Sequence, residues 1–201
     1  APDGRLYVRY RDGEAAGMGY LEDYAYTAWA LLSLYEAAFD AACLKMAVKY
    51  TETMCQYFED SENGGFYHYA EDAEALPLRL KETYDGAMPS GNAVAAYVLS
   101  RIAKLTAEPE WEERARRQLA FLAASVKDYP AAHCFGLMAA QQELHPSKEV
   151  VCCLPSVRDA GMVRYALAPV FLPDTSMLVK TKENEESVNM LAPFAKAYLV
   201  M

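Results

Sequence analysis

The sequence predicts a mainly α-helical fold in which helical hairpins are arrayed around an axis. Two observations lead there. Long stretches that are apolar nearly all round, 21–39, 90–106 and 130–142, alternate with stretches that carry a single apolar stripe, 41–59 and 109–127. A helix covered on every side must be surrounded by other helices, so the alternation implies an inner layer backed by an outer one. The punctuation agrees, because Ser61-Glu62-Asn63-Gly64-Gly65, Pro89-Ser90-Gly91-Asn92 and Tyr129-Pro130 mark the boundaries of these stretches.

The first hairpin occupies about 20–60. In its second helix Leu44, Ala47, Val48, Thr51, Met54, Cys55 and Phe58 recur at steps of three and four, with Lys45, Lys49, Glu52, Gln56 and Glu59 between them. Ser61-Glu62-Asn63-Gly64-Gly65 supplies the stop. Phe66-Tyr67-His68-Tyr69 is strand-like, Glu71–Glu74 suits an acidic turn, and Leu76–Leu80 returns, so a β-hairpin is expected over 66–80. A connection of this length between packed helices usually lines a site or carries structure of its own.

The second helical hairpin opens with Ser90 as N-cap for a helix through Thr106, and Pro109 fits the first turn of its partner. That partner sets Trp111, Ala115, Leu119, Leu122 and Val126 opposite Glu112, Glu113, Arg116 and Arg117. Tyr129-Pro130 starts a fifth helix that stops before His145-Pro146. Beyond it the period changes. Val150–Leu154 and Met177–Lys180 flank a helix-compatible 156–168, which predicts a strand-helix-strand unit, and 187–200 reads as a last helix. The chain is thus expected to be a single domain, 1–201, with helical hairpins over 1–145 and a small α/β terminal portion over 146–201.

A formal net charge of −9 argues against nucleic acid and acidic membrane surfaces as partners. The absence of a long apolar run or a leader peptide leads to the expectation of a cytoplasmic protein without a membrane partner. Cys43, Cys55, Cys134, Cys152 and Cys153 show no zinc-type spacing and are expected to be reduced. No ligand spacing relates His68, His133 and His145, and no nucleophile elbow, phosphate loop or dinucleotide fingerprint occurs, so neither metal nor cofactor is expected.

Inner helices that run the same way gather their N-termini, with unpaired N–H groups and partial positive charge, at one mouth. The polar residues at those ends are Glu22 and Asp23, then Lys81, Glu82, Asp85 and Asn92, then His133. Paired carboxylates beside aromatic rings suit polyhydroxylated ligands, since one acid can protonate a leaving oxygen while another acts as base or nucleophile. Glu82 and Asp85 are the candidate acid-base pair, with Glu22 or Asp23 as partner. Asn92 is the candidate to orient a hydroxyl, Tyr24, Trp29 and Tyr84 to offer stacking faces, and His133 to serve as the base an epimerase needs. Capping competes as an explanation for Glu22, Asp23 and Ser90, as does an ordinary turn for Asp85-Gly86.

The strings GYLEDYAYTAWALLSLYEAAFD and LPLRLKETYDGAMPSGNAVAA resemble the C-terminal half of the spermatogenesis-associated thioredoxin-like family, over about 1–145 and more loosely beyond. The resemblance implies a partial α/α toroid, similar to the N-acylglucosamine 2-epimerase and six-hairpin glycosidase superfamily, with a β-hairpin insertion and a strand-helix-strand terminal portion. It implies further that a thioredoxin-like part, the early toroid and a cysteine-containing tail lie outside this chain. A sugar-like small molecule is then the expected ligand. The alternative is a non-catalytic scaffold or protein-interaction domain that supports a redox partner domain. A partial ring is also expected to self-associate into a homo-oligomer or to be marginally stable, because its flanks are uncovered.

Overall fold

The structure, a computed structural model, describes residues 1–74 and 77–200. It opens with a short antiparallel ribbon, β1 (Tyr7–Arg11) and β2 (Glu14–Met18), with Tyr7 opposite Met18 and Arg11 opposite Glu14. Asp12 and Gly13 both take positive φ, 52° and 85°, as a two-residue hairpin turn requires. This ribbon lies within the 1–145 stretch expected to be helical hairpins and adds two strands that the sequence pattern does not predict.

Two helical hairpins follow, α1 (Leu21–Ala38) with α2 (Ala41–Phe58), and α3 (Gly91–Thr106) with α4 (Pro109–Asp128). The same device joins both. Phe39 and Ala107 sit in the left-handed region at φ 55° and 52°, directing the chain into the next helix at Asp40 and Glu108. Asp40 caps α2 through the Ala42 N–H, and Ser90 caps α3 through the Ala93 N–H at 3.2 Å, as the sequence predicts for Ser90. After a 3-10 turn at Pro130–Ala132 comes α5 (Cys134–Leu144).

Helix α3 is the centre of the molecule, packed against α1, α4 and α5. Every one of its residues except Tyr97 and Lys104 is buried, and Gly91, Ala93, Ala95, Ala96 and Ser100 keep it thin enough for close neighbours. The expectation that α1 and α5 are equally enclosed is corrected. Leu34 on α1 is 54% exposed and Leu144 on α5 is 81% exposed, so each of these helices keeps an apolar side chain in solvent.

The expected β-hairpin over 66–80 is also corrected: among the described residues of that stretch no strand pair forms. The backbone of 66–68 has other partners. Phe66 bridges to Glu59, the Tyr67 N–H donates to the Phe58 carbonyl at 2.8 Å, and the Leu21 N–H donates to the His68 carbonyl at 3.1 Å. Among the described residues, the two expected strands are joined by one backbone bond, from the His68 N–H to the Leu80 carbonyl at 2.9 Å, and by the Arg79 side chain donating to the Tyr69 carbonyl. Leu76, placed by the sequence in the second of them, lies outside the described residues.

The strand-helix-strand unit is present. β3 (Lys148–Leu154) pairs in parallel with β4 (Thr175–Thr181), Val150 opposite Met177, across a crossover that contains α6 (Ala160–Leu167). The inner strand is tied to the helical layer through Tyr35, whose hydroxyl donates to the Met177 carbonyl and accepts from the Val179 N–H. Burial pushes that phenol up to about 12. The last helix is shorter than expected: α7 (Glu185–Leu191) ends before Pro193, and a 3-10 turn occupies Pro193–Ala197. Lys180 on β4 is fully buried, with its ammonium matched by the Ala195 and Tyr198 carbonyls and by Glu185.

Candidate functional site

The N-termini of α1, α3 and α5 meet at one end of the helical layer. The Tyr26 hydroxyl donates to the Pro89 carbonyl at 2.7 Å, linking α1 to the approach to α3, and the Asp85 N–H donates to the Ala132 carbonyl, linking that approach to α5. Gly91 permits the contact between α1 and α3. A Cβ at that position would stand 3.0 Å from the Leu21 side chain and 3.1 Å from Cγ of Glu22.

Three segments converge over this junction. The Leu21–His68 and His68–Leu80 backbone bonds hold the start of α1, the 66–69 segment and the 80–82 segment side by side. Asn92 fixes the last two from below. Its carboxamide oxygen accepts from the Phe66 N–H at 2.8 Å, and its nitrogen donates to the carbonyls of Phe66 and Glu82 at 2.9 and 2.8 Å. Gln118 of α4 donates to the same Asn92 oxygen. Wholly buried and hydrogen-bonded at both ends, Asn92 positions the backbone that carries His68 and Glu82.

The result is a cluster of three donors. One oxygen of Glu22, one of Glu82 and a ring nitrogen of His68 all lie within 4.8 Å of one another. His68 Nδ1 is 3.4 Å from Glu22 Oε2, and both side chains are about three-quarters shielded. The imidazole lies flat on Tyr20, with ring centroids 5.0 Å apart at 16°, and meets the edge of Tyr69 at 4.6 Å. A hollow of about 370 Å³ opens here, lined by His68, Tyr69, Leu80, Lys81 and Glu82.

No Lys or Arg among the described residues pairs with Glu22 or Glu82. Lys81 is the nearest in sequence, but its ammonium donates to Asp60 at 2.7 Å and to the Gly64 carbonyl at 2.6 Å, and it lies over the Tyr67 and Phe121 rings. The Lys81 hydrogen bond, with others from the Asn63 N–H and the Tyr67 hydroxyl, holds the Asp60 carboxyl well below the usual carboxylate range. Lys81, one of the polar residues expected at this mouth, is therefore committed elsewhere.

The remaining candidates have other surroundings. Asp23 accepts from the Tyr20 N–H at 2.8 Å and closes the first turn of α1. Asp85 turns away from Glu82: one oxygen accepts from the Ser90 N–H and the other from the Phe135 N–H, both at 2.8 Å, so that it caps α5 from the loop before α3. It borders a separate hollow of about 360 Å³ with Pro89, Cys134, Phe135 and Met138. His133 is buried, its Nδ1 2.8 Å from the Tyr129 carbonyl and its Nε2 3.5 Å from the Thr83 hydroxyl. Tyr24 is a core residue, packed on Tyr50 and Phe58, with its hydroxyl accepting from the Leu6 N–H. Trp29 is wedged among Tyr26, Tyr97 and Phe135 between the inner helices. Tyr84 is exposed. The aromatic faces at the cluster are instead Tyr20 and Tyr69, and the third ionisable group is His68. Their signal was the density of rings in Phe66-Tyr67-His68-Tyr69, which the pattern alone reads as a strand.

All five cysteines are free thiols, and burial pushes Cys55 up to about 12, beyond the range of a reactive thiolate. Among the described residues no helix is long and apolar enough to cross a membrane.

No known family model matches the chain. Curated relatives are found nevertheless. Over 178 residues, 88% of this chain, it is 30% identical to human spermatogenesis-associated protein 20 and 29% identical to the rat protein of the same name. The mouse protein is 29% identical over 179 residues. The chain spans 23% of the length of the human and rat relatives. It is homologous to a segment of spermatogenesis-associated protein 20.

Proposed function

We propose that the chain is part of an α/α toroid that binds or processes a carbohydrate-like ligand at the mouth formed by Glu22, His68 and Glu82. The arrangement of α1, α3 and α5 inside α2 and α4 supports the toroid. So do the apolar side chains left uncovered on the outer inner-layer helices, Leu34, Leu137, Met138 and Leu144, where further hairpins of a ring would pack.

The observation that carries the reading is the approach of two carboxylates from different chain segments, at most 4.8 Å apart at their nearest oxygens, beside a histidine flanked by two tyrosines. Carboxylates can accept hydrogen bonds from adjacent sugar hydroxyls, and a tyrosine face can take the apolar side of a pyranose. For glycoside chemistry the separation matters. A water held between inverting carboxylates needs about 6.5–9.5 Å, whereas a retaining pair stands about 5–5.5 Å apart, and nearest oxygens within 4.8 Å let Glu22 and Glu82 take the closer spacing. In an epimerase the proton-transfer base would be His68, which faces the hollow, in place of the enclosed His133.

A thermal-shift screen of mono- and disaccharides tests this. A sugar at ten times its Kd adds RT ln 11, about 1.4 kcal/mol, which raises the Tm of a chain this size by about 3–5 °C. Stabilisation by at least one sugar, lost in Glu82→Gln, supports the reading. No stabilisation by any sugar at tens of Kd for a typical millimolar binder overturns it in favour of the scaffold alternative.

A further inference from the structure

We infer that Glu22, His68 and Glu82 form a binding site for a divalent transition metal of the zinc type. The donors are one imidazole nitrogen and two carboxylate oxygens, a set that zinc and manganese accept and that magnesium and calcium, which prefer oxygen alone, do not. Metal bonds of about 2.0–2.2 Å at tetrahedral angles put ligand atoms about 3.3–3.6 Å apart. The 3.4 Å between His68 Nδ1 and Glu22 Oε2 is already one such edge. Glu82 lies within 4.8 Å of both, on an exposed side chain free to close the remaining distance.

Three features beyond proximity support a built site. The donors come from segments far apart in sequence, held in place by the Leu21–His68 and His68–Leu80 backbone bonds and by buried Asn92. The imidazole is fixed in orientation between Tyr20 and Tyr69, so little rotamer freedom is lost on binding. Two carboxylates also stand together without a Lys or Arg partner among the described residues, and their combined charge matches a dication. With three protein ligands, zinc keeps a fourth position for water.

The metal reading stands on these donors and does not need the sugar reading; only the competition measured last depends on both. Isothermal titration with zinc, in a buffer with a non-thiol reductant, is expected to give saturable 1:1 uptake. Glu22→Gln, His68→Ala and Glu82→Gln are each expected to weaken it at least about tenfold, losing one of three ligands. Glu82→Gln guards against misfolding, because that side chain is exposed and makes no hydrogen bond among the described residues. Cys134→Ser and His145→Ala serve as controls and are expected to leave uptake unchanged. Absence of 1:1 uptake, uptake unaffected by the three site variants, or uptake abolished by either control overturns the inference. If a stabilising sugar is found, zinc is expected to reduce its effect, since both require the same oxygens. Zinc uptake without any sugar response leaves the metal site standing and removes the carbohydrate ligand.

Discussion

The mouths of the two helical hairpins are built alike and used differently. Each hairpin turns through a non-glycine residue in the left-handed region, Phe39 in one and Ala107 in the other, and each begins with a cluster of polar side chains. At the start of α3 those side chains are consumed: Asp85 takes two backbone N–H groups, Ser90 caps the helix, and Asn92 joins three chain segments. At the start of α1 only Asp23 is used in this way. Glu22 is left facing Glu82 and His68, with no backbone partner among the described residues. An acid at a helix N-terminus is thus explained by capping when its oxygens reach N–H groups, and calls for another account when they do not.

Substitution should separate the two sets, with the largest effect at the interior. Asn92→Ala strands the Phe66 N–H and the Phe66 and Glu82 carbonyls, each costing about 1–3 kcal/mol, so a loss of about 3 kcal/mol or more is expected in urea unfolding. Asp85→Ala removes the acceptor for two N–H groups and is expected to cost about 2 kcal/mol, with a fall in Tm of about 4–8 °C. A cost below about 0.5 kcal/mol, the range of a plain surface substitution, would mean that Asp85 is not part of the scaffold.

The Asp60–Lys81 pair gives a pH-dependent form of the same contrast. Asp60 has its folded-state pKa depressed, so it contributes stability that is present above the unfolded carboxylate value, about 3.9. That contribution is lost as pH falls below this value, where the unfolded chain takes up a proton and the native chain does not. Tm measured from pH 5 down to pH 3 should therefore fall more steeply in the wild type than in Asp60→Asn. Parallel slopes would show that Lys81 is not held as described. The smallest effect is expected at the turn of the second hairpin. Ala107→Gly relieves a left-handed alanine at a modest cost in chain entropy, a net gain of up to about 1 kcal/mol by thermal melting.

Much of the helical layer was legible because its signals are local. Apolar period, Ser90 as a cap and Pro109 in a first turn all act within a few residues, and the runs at Val150–Leu154 and Met177–Lys180 are apolar enough to read as strands. The ribbon at 7–18 was not legible despite its Asp-Gly turn, since its strands bury almost nothing and show no two-residue period. The 66–80 segment misled because its backbone pairs back onto the end of α2 across the Ser61–Gly65 turn and onto the start of α1 and the Asn92 side chain, the last two distant in sequence. The same long-range bonds account for the site. Glu22 and Glu82 could be named as acids near helix starts, but His68 joins them only through backbone contacts to Leu21 and Leu80. Nor did charge type alone reveal that Asp85 would turn to α5, since the Phe135 N–H it satisfies is 50 residues away.

The distinction between a committed set and a free set is tested most directly by Glu82→Gln, melted with and without zinc and the sugar panel. The account predicts an unliganded Tm within about 2 °C of the wild type, as for a surface change of at most about 0.5 kcal/mol, together with loss of ligand-induced stabilisation. A Tm lowered by many degrees without ligand, or a ligand response equal to that of the wild type, would contradict it.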